Sequence, residues 1–196
     1  MNAKQERKER SRNTILESAG RLLRSRGIVG ARVADVMQGA GLTVGGFYAH
    51  FASKDELVSA ALHRLGAEYR DRLFTRIEEK PESDRTAVIL KRYLSTAHRD
   101  ATDQGCPFPS IVGEIGTTAP EQRDALAQEI AALIERLESL TPHSQGHKTR
   151  TIAIGLVTLM IGGLSLSRAL RGTALSDEVI RACRLFSVAA TRGLDL

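Results

Sequence analysis

The sequence predicts an all-α protein, with a small N-terminal helix-turn-helix domain followed by a larger helical body. Three observations predict it. Apolar residues recur at i, i+3 and i+4 along most of the 196 residues, and no alternating strand interrupts them. The stretch Val33 to Lys54, VADVMQGAGLTVGGFYAHFASK, reads as two short helices around a glycine turn. Positive charge is concentrated in the first 54 residues, which include that stretch.

Within the stretch, Val33, Val36 and Met37 make one apolar face, with Asp35 and Gln38 pointing the other way. Gly39-Ala40-Gly41 ends the first helix, and Gly41 stands where the tight turn calls for a positive φ. Thr43 is a good N-cap for a second helix from Val44 to about Phe51, its hydroxyl accepting a backbone N–H of the first turn. Phe47 and Phe51 lie one turn apart and face the core, leaving Val44, Gly45, Gly46, Tyr48 and His50 outward. Two adjacent glycines cost such a helix roughly 1 kcal/mol each relative to alanine. Close approach of a partner's surface, here DNA, is a reason for the sequence to accept that cost.

Charge supports the same reading independently. Residues 1–54 hold ten Lys or Arg against four acids, while the remaining 142 hold 18 against 19. The net charge of +5 and the pI near 9.6 therefore come from the N-terminal part alone. A basic module joined to a neutral one points to a polyanion partner for the first. With 42% hydrophobic residues the chain buries a real core, and only eight aromatics make that core largely aliphatic. The charged N-terminus lacks an apolar signal-peptide core, so a cytoplasmic location is expected. Two cysteines, Cys106 and Cys183, are too few for a disulfide framework.

The remaining helices follow from periodicity and breakers. Ile15, Ala19, Leu22 and Leu23 stripe a first helix from Glu6 to Arg26, closed by Gly27 as C-cap. Ser53, with Glu56 three residues on, is a capping box for a long helix through Leu57, Ala61, Leu65 and Tyr69 to about Ile77. After Lys80-Pro81-Glu82-Ser83 a helix carries Ala87, Leu90, Leu94 and Ala97. Gly105-Cys106-Pro107 breaks the pattern, and Pro109 and Gly113 limit regular helix beyond it. An amphipathic helix then runs from Pro120 to about Leu140, followed by a loop from Thr141 to His147. Thr151 to Ser167 is uncharged but, at 17 residues, falls short of a membrane span. It reads as a helix buried on all sides. The last helix, about Ser176 to Arg192, stripes Val179, Cys183, Phe186 and Ala190.

The run from Ile15-Leu16 through Gly27, then Val33-Ala34-Asp35-Val36, Ala40-Gly41-Leu42-Thr43, Gly45, Phe47-Tyr48, His50-Phe51 and Lys54-Asp55-Glu56-Leu57, resembles the TetR/AcrR family of transcriptional regulators. The resemblance covers about the first 60 residues. It implies a homodimer that represses a promoter by binding double-stranded DNA until a small-molecule effector releases it, with no membrane partner. Residues 1–54 are then the DNA-binding domain and 55–196 the effector-binding and dimerisation domain. By position, Thr43, Tyr48 and Lys54 would hold phosphates, while Val44, Gly45, Gly46 and His50 would approach the groove floor. Where the family usually places Thr-Ser or Thr-Thr before the first helix, this chain has Ala31-Arg32, so Arg32 is expected to supply the phosphate contact. The last two helices would pair with their mates as a four-helix bundle through Gly155, Leu159, Gly162, Gly163, Val179, Cys183, Phe186 and Ala190. Two recognition helices would then lie one DNA turn apart, roughly 34 to 36 Å, on a pseudo-palindromic operator.

An effector pocket is expected among Tyr93, Cys106, Phe108, Ile111, Val112, Ile134 and Met160, which come from the central helices and their irregular connection. Cys106 is open to two readings, a small buried residue at a break or a thiolate sensor of electrophiles and oxidants beside a helix N-terminus. His143 and His147 lack a third ligand, so neither metal nor cofactor is expected. His63 and His98 sit on polar helix faces. No nucleophile elbow, P-loop or dinucleotide fingerprint marks an enzyme. An effector-independent architectural DNA-binding protein, or an enzyme of unrecognised type, are the readings from other classes.

Overall fold

The apolar stripe of the first helix does what its spacing predicts: Ile15, Ala19 and Leu23 are buried along α1 (Ala3–Gly30). The computed structural model describes residues 2–141 and 147–191. Among these residues, nine α-helices and two 3-10 helices account for the regular structure, with no strand. After α1 come α2 (Val33–Gly39), the 3-10 helix Val44–Ala49, α3 (Lys54–Phe74), α4 (Glu82–Tyr93), α5 (Thr96–Asp100) and α6 (Phe108–Thr117). The 3-10 helix Pro120–Gln122, α7 (Arg123–Glu138), α8 (His147–Ala169) and α9 (Ala174–Thr191) complete the chain.

Backbone packing divides these elements into two compact units. The first comprises Met1–Ala67 and Cys106–Ala127, and the second Glu68–Gly105 and Gln128–Leu196. The boundary expected at residue 54 coincides with the start of α3, whereas the division falls inside that helix, because α6 returns to pack on α1.

In the first unit, Gly27 interrupts α1 with φ 70°, and the N–H groups freed by the kink are taken by a carboxylate from α6. Glu114 Oε2 accepts from Ile28 N at 2.7 Å and Val29 N at 2.8 Å. Gly41 adopts φ 68° in the turn after α2, as the turn requires. Ser53 caps α3, its Oγ accepting the N–H of Glu56 at 3.1 Å, while Glu56 reaches back to Ala52 N at 2.6 Å, one residue before the partner a standard capping box uses. Pro109 and Gly113 do not limit α6, which is regular from Phe108 to Thr117. Pro109 falls in the first turn, where a missing N–H costs nothing.

In the second unit, α3 stops at Phe74 rather than near Ile77, and the helix expected through Ala97 is two helices. Leu94 leaves helical geometry with ψ 68°, and Ser95 starts α5 by accepting the N–H of His98 on its hydroxyl. The α8–α9 pair is tied at one end by Ser167 and Ser176, each hydroxyl donating to the other's carbonyl at 2.8 and 2.7 Å. Helix α8 has the length and hydropathy of a membrane span, yet it is an ordinary two-sided helix: 44% of its apolar window is buried. Ala153, Leu156, Val157, Met160 and Leu164 face inward, while Ile154 and Leu166 are about half exposed. The expectation of burial on all sides therefore fails within one chain.

His98, expected to occupy a polar face, is half-buried: its Nδ1 lies 2.7 Å from the Tyr93 carbonyl, and its ring stacks on Tyr69 at 5.3 Å.

Candidate DNA-binding surface

The second helix of the helix-turn-helix is a 3-10 helix rather than an α-helix. It spans Val44–Ala49, and its bonds include Gly46 N to Thr43 O at 3.0 Å and His50 N to Phe47 O at 2.9 Å. A six-residue segment with two glycines has little to favour the longer-range ladder. The 3-10 pattern also explains why the expected Thr43 hydroxyl cap is not made. The Gly46 N–H it would have capped is already held by the Thr43 carbonyl, and Thr43 itself is exposed.

Phe47 and Phe51 are buried and stacked, ring centroids 5.8 Å apart, and they fix the roll of the segment. Val44 is consequently 50% exposed and Tyr48 75% exposed, its ring set edge-on to Phe47 at 5.3 Å. Neither Gly45 nor Gly46 has a positive φ. A Cβ on Gly45 would meet nothing within 4 Å, and one on Gly46 only ordinary contacts at 3.8 Å. Nothing inside the molecule requires glycine at either position.

The expected phosphate ligands are placed around this face. Lys54 Nζ donates to the Ile28 carbonyl at 2.7 Å, which uses one of its three protons and holds the start of α3 to the end of α1. Arg32 N-caps α2 without a side-chain cap bond, consistent with the absent hydroxyl, and its Nε pairs with Asp35 at 2.9 Å while the side chain stays largely exposed. His50 turns partly inward: its Nδ1 is buried without a hydrogen-bond partner. Burial first, then the charges of Lys8 and Arg12, hold its pKa below the ordinary histidine value, so the ring is neutral at pH 7. An open groove of about 890 Å³ extends from His50 along the first turns of α1. Sequence reasoning missed this groove, although the basic residues that line it were already counted in the N-terminal charge.

Two family profiles cover most of the chain. Bacterial regulatory proteins of the tetR family match residues 15–61, and the Tetracyclin repressor-like C-terminal domain matches residues 83–183, just over half of the sequence. The chain belongs to the TetR family. That family is one of DNA-binding transcriptional regulators rather than enzymes. A stretch of 89 residues is 36% identical to the HTH-type transcriptional regulator TtgR of Pseudomonas putida, covering 45% of this chain and 42% of that protein. The match thus spans less than half the length of this curated relative. The fold is shared with a TetR-family regulator from Cytophaga hutchinsonii, with TM-score 0.75 and 20% identity over 93% of this chain and 95% of that one. It is also shared with the reduced form of NemR from E. coli, at TM-score 0.71 and 22% identity over 88% and 94%.

The expected effector residues of this TetR-family chain divide between the two units. Cys106, Phe108, Ile111 and Val112 are in the first, with Val112 alone partly exposed; Tyr93, Ile134 and Met160 are buried in the second. Cys106 is wholly buried ahead of α6, a position that shields a thiol from reagents. Within the second unit an unexpected cleft of about 260 Å³ is bordered by Tyr69, Arg72, Arg92, His98 and Gln104.

Of the expected dimer residues, Gly155 and Gly162 lie on the exposed side of α8 beside Ile154 and Leu166, with Leu159 half-buried next to them. Gly163 instead faces α9 of its own chain, where a Cβ would stand 2.7 Å from Cys183 Sγ. Phe186 is 52% exposed, Val179 half-buried and Ala190 buried. His143 lies outside the described residues.

Proposed function

We propose that the chain is a cytoplasmic homodimeric repressor that binds a pseudo-palindromic operator and is released by a small-molecule effector. The observation that carries the DNA-reading face is the Gly45-Gly46 pair between Val44 and Tyr48, Gly45 exposed and Gly46 half-buried, both at ordinary φ and neither required to be glycine by packing inside the molecule. Such a pair lets a backbone approach the groove floor closely. Thr43, Tyr48, Lys54 and Arg32 supply phosphate donors at its margins, which set register while base edges set sequence. The outward stripe of α8, with Leu185 and Phe186 on α9, is the surface for the second subunit.

Release follows from connections inside the first unit. Helix α6 carries Glu114, which holds the Ile28 and Val29 amides, and Lys54 holds the Ile28 carbonyl. An effector that displaces α6 therefore moves the end of α1 and the start of α3 together, and with them the recognition segment. Footprinting on DNA upstream of the chain's own gene tests this reading. Two protected half-sites related by two-fold symmetry, about one helical turn apart, are expected. A single unsymmetric site, or none, would contradict it.

A further inference from the structure

The family profile begins at residue 15, so the first three turns of α1 lie outside it, yet they are continuous helix. Lys4, Arg7, Lys8 and Arg12 recur at i, i+3, i+4 and i+8 and share one side of that helix. They line the open groove of about 890 Å³, whose far wall is Ala49 and His50, the residues that end the recognition segment. Four cations face a single carboxylate there, Glu9. The Arg12 guanidinium lies 4.7 Å from the Phe51 ring centroid, which anchors the arm to the helix-turn-helix core. Lys4, Arg7 and Lys8 are exposed and make no ion pair with another described residue.

We infer that this groove is a second DNA-backbone site, in which the α1 arm holds phosphates of the duplex beyond the segment read by Val44 to Tyr48. The inference rests on the DNA-reading face proposed above and extends its footprint outward. The groove opens from the end of that face, so a strand leaving the recognition segment passes His50 and meets the arm. From Lys4 to Arg12 the arm runs about 12 Å at 1.5 Å per residue. Successive phosphates of one strand are about 3.4 Å apart along the duplex axis, so the arm spans several of them. Its bonds are with backbone only and add affinity without sequence preference.

The test compares wild-type protein with a Lys4→Ala/Arg7→Ala/Lys8→Ala variant on DNA from upstream of the chain's own gene, over a range of salt. The duplex extends several base pairs past the footprint on either side. Each phosphate no longer neutralised reduces the slope of log K against log salt by about 0.9, so the variant is expected to lose two to three units per subunit engaged. Preference for that DNA over unrelated competitor should be unchanged. Trimming the duplex to the footprint of the variant should bring the wild-type slope down to the variant's, and Glu9→Lys should steepen the slope on the long duplex. Equal slopes for wild type and triple variant, with wild-type binding intact, would overturn this inference and leave the recognition face standing. Wild-type protein with no affinity for any duplex would overturn both.

Discussion

Glu114 on α6 accepts the backbone N–H of Ile28 at 2.7 Å, across 86 residues of sequence. Its second bond, to Val29 N at 2.8 Å, makes one carboxylate the cap for the kinked end of α1. The close fit requires glycine next door: a Cβ on Gly27 would fall 1.9 Å from Glu114 Oε1, at a φ of 70° that other residues resist.

Removing that carboxylate should therefore be costly. Glu114→Ala leaves two amides without their partner; the exposed Val29 amide can turn to water, but the Ile28 amide is part-buried, and an unmet buried donor costs about 1 to 3 kcal/mol. Gly27→Ala should be destabilising by a similar amount, from strain and displacement of the same carboxylate. The double variant should be less destabilised than the two singles combined, because both disrupt one interaction. Urea denaturation measures all three, and additive effects would contradict the shared interaction.

The glycine pair should separate stability from binding. With open space or ordinary contacts around each added Cβ, Gly45→Ala and Gly46→Ala should leave stability equal to or higher than wild type, by up to about 1 kcal/mol each. DNA affinity should fall in both. Tyr48→Phe should weaken binding by roughly 1 kcal/mol across sequences, the worth of one hydrogen bond to a phosphate. Stability and affinity falling together at Gly45 would instead indicate a structural role.

His98 should make stability depend on pH. Its pKa is lowered from 6.5 to about 4, chiefly by burial, with Arg168 and Arg72 adding to the shift and the bond to the Tyr93 carbonyl opposing it. The unfolded chain therefore takes up this proton before the native one. The contribution is constant above pH 6.5, falls as pH drops from 6.5 to about 4, and changes no further below that. The full effect is about 3 kcal/mol. Denaturation midpoints of His98→Asn should show a shallower acid limb than wild type; parallel limbs would contradict the assignment.

The outward faces of α8 and α9 should hold the subunits together. Ile154→Glu or Phe186→Glu adds a charge to an exposed apolar side chain, so each should yield a helical monomer by light scattering, with operator affinity abolished. A dimer of unchanged stability would place the interface elsewhere.

Much of this was legible locally. The turn at Gly41, the buried Phe47 and Phe51, and the Ser53 cap depend on neighbours within a few residues, so spacing predicted them. The 3-10 geometry was not legible, because apolar spacing over six residues does not distinguish i→i+3 from i→i+4 bonding. Glu114 reads as an ordinary helix-surface acid until α6 is packed on α1. His98 likewise reads as surface until the Tyr69 and Tyr93 rings close around it. The one-sided burial of α8 was not legible either, because a segment apolar all round does not show in its sequence which side packs within the chain.

The most direct test of the recognition face is a competition titration at one fixed salt concentration, with DNA from upstream of the chain's own gene against unrelated duplex. Salt is held constant because phosphate contacts dominate affinity. Wild-type protein should prefer the upstream DNA by a factor of about 10³ or more, and Gly46→Ala should lose most of that preference while remaining folded. Equal affinity of wild-type protein for both duplexes, or a Gly46→Ala variant that discriminates as well as wild type, would contradict the assignment of this face as the DNA reader.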